Sequence, residues 1–277
     1  MKKRNIVFEI AYEGTRYSGW QRQGNTDKTV SGRIEEALRQ LYGAEDRTPE
    51  AADRGRTPVA KDPKPNESDE FELAGAGRTD AGVHALCQVA NVRLHCEDAP
   101  DRIREKLNAA LPMDIRILRC YEADDRFHAR LKATGKVYEY VIVTGPVEDL
   151  WLRNRAWQIK DEPDIDAMRA AAELLIGEHD YLGFSSLKAS KKSTVRRVDS
   201  IEIRKQERPE GGSILRLTFT GTGFLYHMVR ILVGTLLEVG RHERSVADST
   251  RALTTLDRAD AGPVAPAMGL YLVKVIY

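Results

Sequence analysis

Between residues 228 and 239 the chain is apolar nearly all the way round a helical wheel. Met228, Ile231, Leu232, Leu236 and Val239 line one face, and Val229, Val233 and Leu237 continue around the other. A helix of this kind has to be buried on most of its circumference, and the chain has the means: its 277 residues, 42% apolar and 31% charged, can enclose a sizeable core as one large domain or two smaller ones. Arg230 is the one basic residue in the run. A helix buried on most sides does not cheaply hold an unpaired guanidinium, so Arg230 either reaches a carboxylate or snorkels to water from the first turn. Helical spacing recurs at Val30, Ile34, Ala37, Leu38 and Leu41, and again at Ile103, Leu107, Ala110 and Leu111. Alternating apolar or β-branched residues predict strands over 6–12, 137–143, 198–203, 214–219 and 270–276, with a further strand-like stretch at 71–74. Strands and helices interleave in both halves, so the expected architecture is α+β or α/β, with helices packed on a sheet.

Lys and Arg total 43 against 42 Asp and Glu, so bulk charge does not announce a nucleic-acid binder. Its distribution is more informative. Residues 186–197 hold five basic residues (Lys188, Lys191, Lys192, Arg196 and Arg197) and no acidic one, and 126–136 add four more with His128. Such clusters suit a phosphate backbone and equally a solvated loop. Residues 44–70 carry four of the eleven prolines, five basic and eight acidic residues, and no apolar side chain larger than Val59. That composition buries too little to offset ordering entropy and predicts a flexible surface insertion. The basic N-terminus runs straight into a strand, without an export signal's apolar region, and every apolar stretch falls short of the ~20 residues of a membrane-spanning helix. The cytoplasm is the expected location. Cys87, Cys96 and Cys120 are odd in number and lie in no C-x-x-C spacing, which predicts reduced thiols. His95 and Cys96, adjacent on a strand, would point to opposite faces, so no metal site with Cys87 is expected.

The densest chemical signal is the stretch 75–85, where Gly75, Gly77 and Gly82 bracket Arg78, Thr79 and Asp80. Glycines permit tight turns and close approach of a ligand, and an Asp on a loop after a strand is well placed for reactive work; a plain turn capped by Asp80 fits the pattern too. Tyr138 and Tyr140 share one face of a period-2 strand with Ile142. Trp20 is expected to pack at the base of its loop.

These residues resemble the TruA family of tRNA pseudouridine synthases. Residues 77–85 (GRTDAGVHA) resemble its catalytic motif, and 12–21 (YEGTRYSGWQ) its N-terminal one. Residues 107–112 (LNAALP), 126–130 (RFHAR) and 136–140 (KVYEY) resemble the middle motifs, 223–234 (GFLYHMVRILVG) and 265–270 (APAMGL) the C-terminal ones. The resemblance spans nearly the whole chain, with departures at 44–70, Cys87 and Ile231. It implies an α+β fold of two pseudo-symmetric ferredoxin-like or RRM-like halves, roughly 1–133 and 134–277, with a central cleft. It implies isomerisation of uridine to pseudouridine at positions 38 to 40 of the tRNA anticodon stem-loop, without cofactor or metal, by a homodimer. Asp80 becomes the catalytic carboxylate and Arg230 its partner. Tyr138 contacts the target uracil, and Arg78 enters the space that the flipped base vacates. An ionised carboxylate can serve as nucleophile or base, and extrusion is required because C1′, N1 and C5 cannot be worked on inside a stacked stem. His84, His128 and His227 are expected to contact RNA or make structural hydrogen bonds, since this reaction needs no imidazole; Tyr140 is expected to be structural. An RNA-binding protein with the fold but not the activity would have no use for Asp80, Arg78, Tyr138 and Arg230 together.

Overall fold

The computed structural model describes residues 3–24, 26, 28–43, 71–187 and 193–277. The insertion expected at 44–70 and the lysines 188, 191 and 192 lie outside the described residues. The described strands form one ten-stranded sheet. Chain order is β1 (Arg4–Tyr12), α1 (Val30–Tyr42), β2 (Ala74–Gly75), β3 (His84–Leu94), α2 (Pro100–Ala110) and β4 (Ile115–Ala123). There follow β5 (Gly135–Val143), β6 (Trp157–Gln158), α3 (Ile165–Leu174), β7 (Gly177–Asp180), β8 (Val195–Glu207), β9 (Ser213–Gly221), α4 (Met228–Gly240), α5 (Arg251–Thr255) and β10 (Leu270–Ile276).

The hydrogen-bonded order is β4-β1-β3-β10-β5-β9-β8-β7, with β2 on β3 and β6 on β5. Within 4–123 the order β4-β1-β3-β2 is antiparallel throughout, and within 135–276 so is β10-β5-β9-β8. Each is a βαββαβ unit of ferredoxin-like order, the first with its second strand cut to two residues. That short β2 pairs with Ala90 and Asn91 and leaves the other end of β3 open, where β10 adds in parallel through Tyr271↔His84 and Leu272↔Ala85. The fold is therefore α+β, as expected.

Local chemistry sets the helix starts. Thr29 accepts from Gly32 N at 3.2 Å to cap α1, Pro100 opens α2, and Asp164 caps α3 by accepting from Asp166 N and Ala167 N, each at 3.0 Å. Helix α1 packs on α2 and α3 on α4, and one apolar core runs through both units. Strands β3 and β4 and helices α3 and α5 are absent from the sequence expectations. The middle of β3 is buried on both faces and so lacks alternation, and α3 buries Met168 with the small Ala171 and Ala172, which gives a weak apolar stripe. The stretch 71–74 contributes only Ala74 to a strand.

Candidate active site

Asp80 sits on the loop between β2 and β3, and the loop's backbone is fixed on both flanks. Ala76 N donates to Val89 O at 2.8 Å, Trp20 N to Thr79 O at 3.1 Å and Gly82 N to Tyr17 O at 3.3 Å. A tight turn closes with Val83 N donating to Asp80 O at 3.1 Å, and Gly82 makes it possible by adopting φ +80°. Side chains add to this: Gln88 Nε2 donates to Gly77 O at 2.9 Å, and the hydroxyls of Tyr12 and Thr79 lie 2.7 Å apart. Trp20 is buried beneath, its ring 5.9 Å from that of Tyr12, which is the packing role expected of it. The Asp80 side chain is what remains free to project, about a quarter exposed.

Helix α4 supplies the other wall. Arg230 donates from Nη1 to Asp80 Oδ2 at 3.2 Å, across 150 residues of sequence, and from Nε to Ala265 O at 2.6 Å. Of the two outcomes open to this buried-helix guanidinium, reaching a carboxylate is the one realised. The pair lies against the first turn of α4, the end of a helix that favours negative charge. Tyr138 on β5 is buried, its ring edge-on to Phe224 at 5.3 Å. Burial first, then the neighbouring Tyr12 and Asp80, push its phenol well above the ordinary tyrosine range, so it is neutral. Arg78 is exposed two residues from Asp80, without a carboxylate partner among the described residues. The site thus draws Arg78 and Asp80 from the first ferredoxin-like unit, and Tyr138 and Arg230 from the second.

The histidines separate. His84 is buried and structural: Gly14 N donates to its Nδ1 at 3.0 Å, its Nε2 donates to Met268 O at 3.0 Å, and Tyr271 stacks on it at 4.8 Å. His128 accepts from Arg130 N at 3.1 Å, a local turn contact. His227 departs from expectation, because its Nε2 lies 3.5 Å from Asp80 Oδ2. It immediately precedes α4 with φ +63°, stacks on Tyr226 at 3.7 Å and meets Ser186 Oγ at 2.9 Å through Nδ1. Burial lowers its pKa from 6.5 against the pull of Asp80, aided by Arg230 and Arg258, which favours the uncharged ring at neutral pH. Tyr140 is structural, fully buried with its hydroxyl donating to Pro266 O at 2.7 Å. Cys87, Cys96 and Cys120 form no disulfide.

A carboxylate about a quarter exposed, held by a guanidinium and near a buried tyrosine, suits nucleophilic or base chemistry on a bound substrate. The family model described as tRNA pseudouridine synthase matches residues 10–131 and 171–277. The chain belongs to this family of isomerases, which convert uridine in tRNA to pseudouridine. Curated relatives match almost end to end. The tRNA pseudouridine synthase A 2 of Clostridium tetani is 39% identical, covering 99% of each chain, and the tRNA pseudouridine synthase A of Acetivibrio thermocellus is 38% identical, covering 99% of this chain and all of its own. That of Thermoanaerobacter sp. is 36% identical with the same coverage. No helix among the described residues is long and apolar enough to cross a membrane.

Proposed function

We propose that this chain modifies uridines at positions 38 to 40 of the tRNA anticodon stem-loop, with Asp80 as the catalytic carboxylate and Arg230 as its partner. The observation that carries the reading is the contact of Arg230 Nη1 with Asp80 Oδ2 at 3.2 Å. It ties the one cation of a buried helix to the one acid of a glycine-rich loop. The N1–C1′ bond of the uridine breaks, the base turns, and a C5–C1′ bond forms. C5 then gives up its proton and N1 takes one, so the sum of atoms is unchanged and no electrons are exchanged. Asp80 acts on the nucleotide as nucleophile or base, and Arg230 keeps its carboxylate oriented and charged. Tyr138 packs on the extruded uracil, and Arg78 fills the space that the base leaves in the stem.

The chain divides into halves at roughly 1–133 and 134–277, a reading supported by the repeated strand order, with the catalytic cleft between them. It acts in the cytoplasm as a homodimer, as the family resemblance implies; light scattering on the purified protein reads the dimer directly. The functional test is to map pseudouridine in tRNA from cells with and without the gene. Loss confined to positions 38, 39 and 40 is expected, and unchanged modification there would overturn the assignment.

A further inference from the structure

Lys136 and Arg130 from the basic stretch 126–136 and Arg196 from the stretch 186–197 come to the same end of the sheet. Lys136, near the start of β5, pairs with Gly221 of β9 and Val275 of β10. Its stem passes the Asp80 loop: a Cβ built on Gly77 would stand 3.0 Å from Lys136 Cε and 3.8 Å from Nζ. Arg196 of β8 approaches the same end of β9, because Val198 also pairs with Gly221, and Arg196 Cδ and Nε lie 3.9 Å from a Cβ built on Gly223. Arg130 comes from the turn before β5, a turn tied down by Tyr277 donating from its hydroxyl to Ala129 O at 2.9 Å. Lys136 is half-buried, Arg130 is exposed, and neither has a carboxylate partner among the described residues. Among the described residues Arg196 bonds to two backbone carbonyls, Ser193 O at 3.0 Å and Val195 O at 2.7 Å, and to no carboxylate. Burial, then the charges of Arg130 and Arg196, hold the Lys136 ammonium below the ordinary lysine range.

Three cations gathered with no acid paired to them among the described residues repel one another, and a bound anion relieves that repulsion. The substrate is a polyanion whose phosphates position it for the groups that do chemistry. We propose that Arg130, Lys136 and Arg196 form a phosphate site, which seats the RNA backbone beside the extruded uridine. Gly77 places this site three residues from Asp80, so a phosphate held there fixes the register of the strand over the carboxylate. Lys136 is a positioning residue in this account and takes no part in bond making.

The inference rests on the RNA-modifying reading above, and the test keeps the two apart. Binding of a tRNA anticodon stem-loop to the full chain is measured over a range of salt, for wild type, Lys136→Met, Lys136→Arg and Arg196→Met. If wild type fails to bind at low salt, the substrate reading falls and this inference with it. With wild type binding, Lys136→Met and Arg196→Met should each weaken affinity about tenfold and reduce the slope of log affinity against log salt by about 0.7, while Lys136→Arg keeps most of both. A single methylphosphonate next to the target uridine should weaken wild type similarly and Lys136→Met no further. Wild-type slopes in both methionine variants would overturn the site, as would full additivity at every flanking linkage. Should Lys136→Met fail to fold, Arg196→Met, near the start of β8, decides alone.

Discussion

Arg230 donates in two directions, to Asp80 Oδ2 from Nη1 and to Ala265 O from Nε, and only a planar guanidinium spans both. Arg230→Met should lower turnover by about 10²–10³-fold, the scale of losing one aligned charged donor, and Arg230→Lys should not restore it. Single-turnover rates at saturating enzyme measure this; a lysine variant at wild-type rate would reduce Arg230 to a packing role. Tyr138 packs edge-on against Phe224, so Tyr138→Ala removes core contact as well as any contact with substrate. Tyr138→Phe is the cleaner variant. It should keep fold and tRNA affinity and slow single turnover if the phenol takes part in proton transfer, whereas Tyr138→Ala should be severely slowed with affinity near normal. Equal loss of binding and catalysis in Tyr138→Ala would place the ring on the docking surface instead. Arg230 stands out in the sequence as a cation in an apolar helix, whereas the loop pattern around Asp80 fits a plain turn equally well, and the pairing of the two is legible only through the family resemblance. The approach of His227 is not legible, since it depends on a left-handed backbone and a stack on Tyr226 that no spacing encodes.

Helix α4 carries Arg230, and its placement depends on how closely the segment before β10 approaches it. A Cβ on Gly234 would stand 2.0 Å from Pro263 O, while Gly262 N donates to Thr235 Oγ1 at 2.8 Å and Ala265 N to Arg230 O at 3.1 Å. Gly234→Ala must therefore push the segment away, carbonyl of Ala265 included. The expected cost is about 1–3 kcal/mol of stability, read as a lower urea midpoint at unchanged slope, together with slower turnover. A wild-type midpoint would show that the two backbones have room to part. The sequence reveals α4 itself, as it does α1, β9 and β10, because their apolar periods are strong. It conceals β3 for the opposite reason: a strand between three others is buried on both faces, polar Gln88 and Asn91 included, and shows no alternation.

Across the whole molecule the two units share one apolar core, and polar and strand-pairing groups add to the junction. Strand pairing contributes Tyr271↔His84 and Leu272↔Ala85, and Arg155 adds an ion pair with Glu13 at 3.4 Å. His84 binds Gly14 in one unit and Met268 in the other, and it does so only while Nδ1 is unprotonated. Burial foremost lowers its pKa from 6.5, so the unfolded chain takes up a proton more readily than the folded one. The stability due to His84 is therefore complete above that value and is lost as pH falls through the lowered one. Thermal midpoints measured between about pH 7.5 and 5 should fall more steeply for wild type than for His84→Gln. Parallel curves would remove His84 from the junction's energetics. The contact of Asp80 with Arg230 spans the same junction, and the role proposed for Asp80 is tested most directly by Asp80→Asn. The amide keeps the shape and loses the charge. Asp80→Asn should bind tRNA at wild-type affinity and release no tritium from C5-labelled tRNA; sustained release by the purified variant would contradict the role proposed for Asp80.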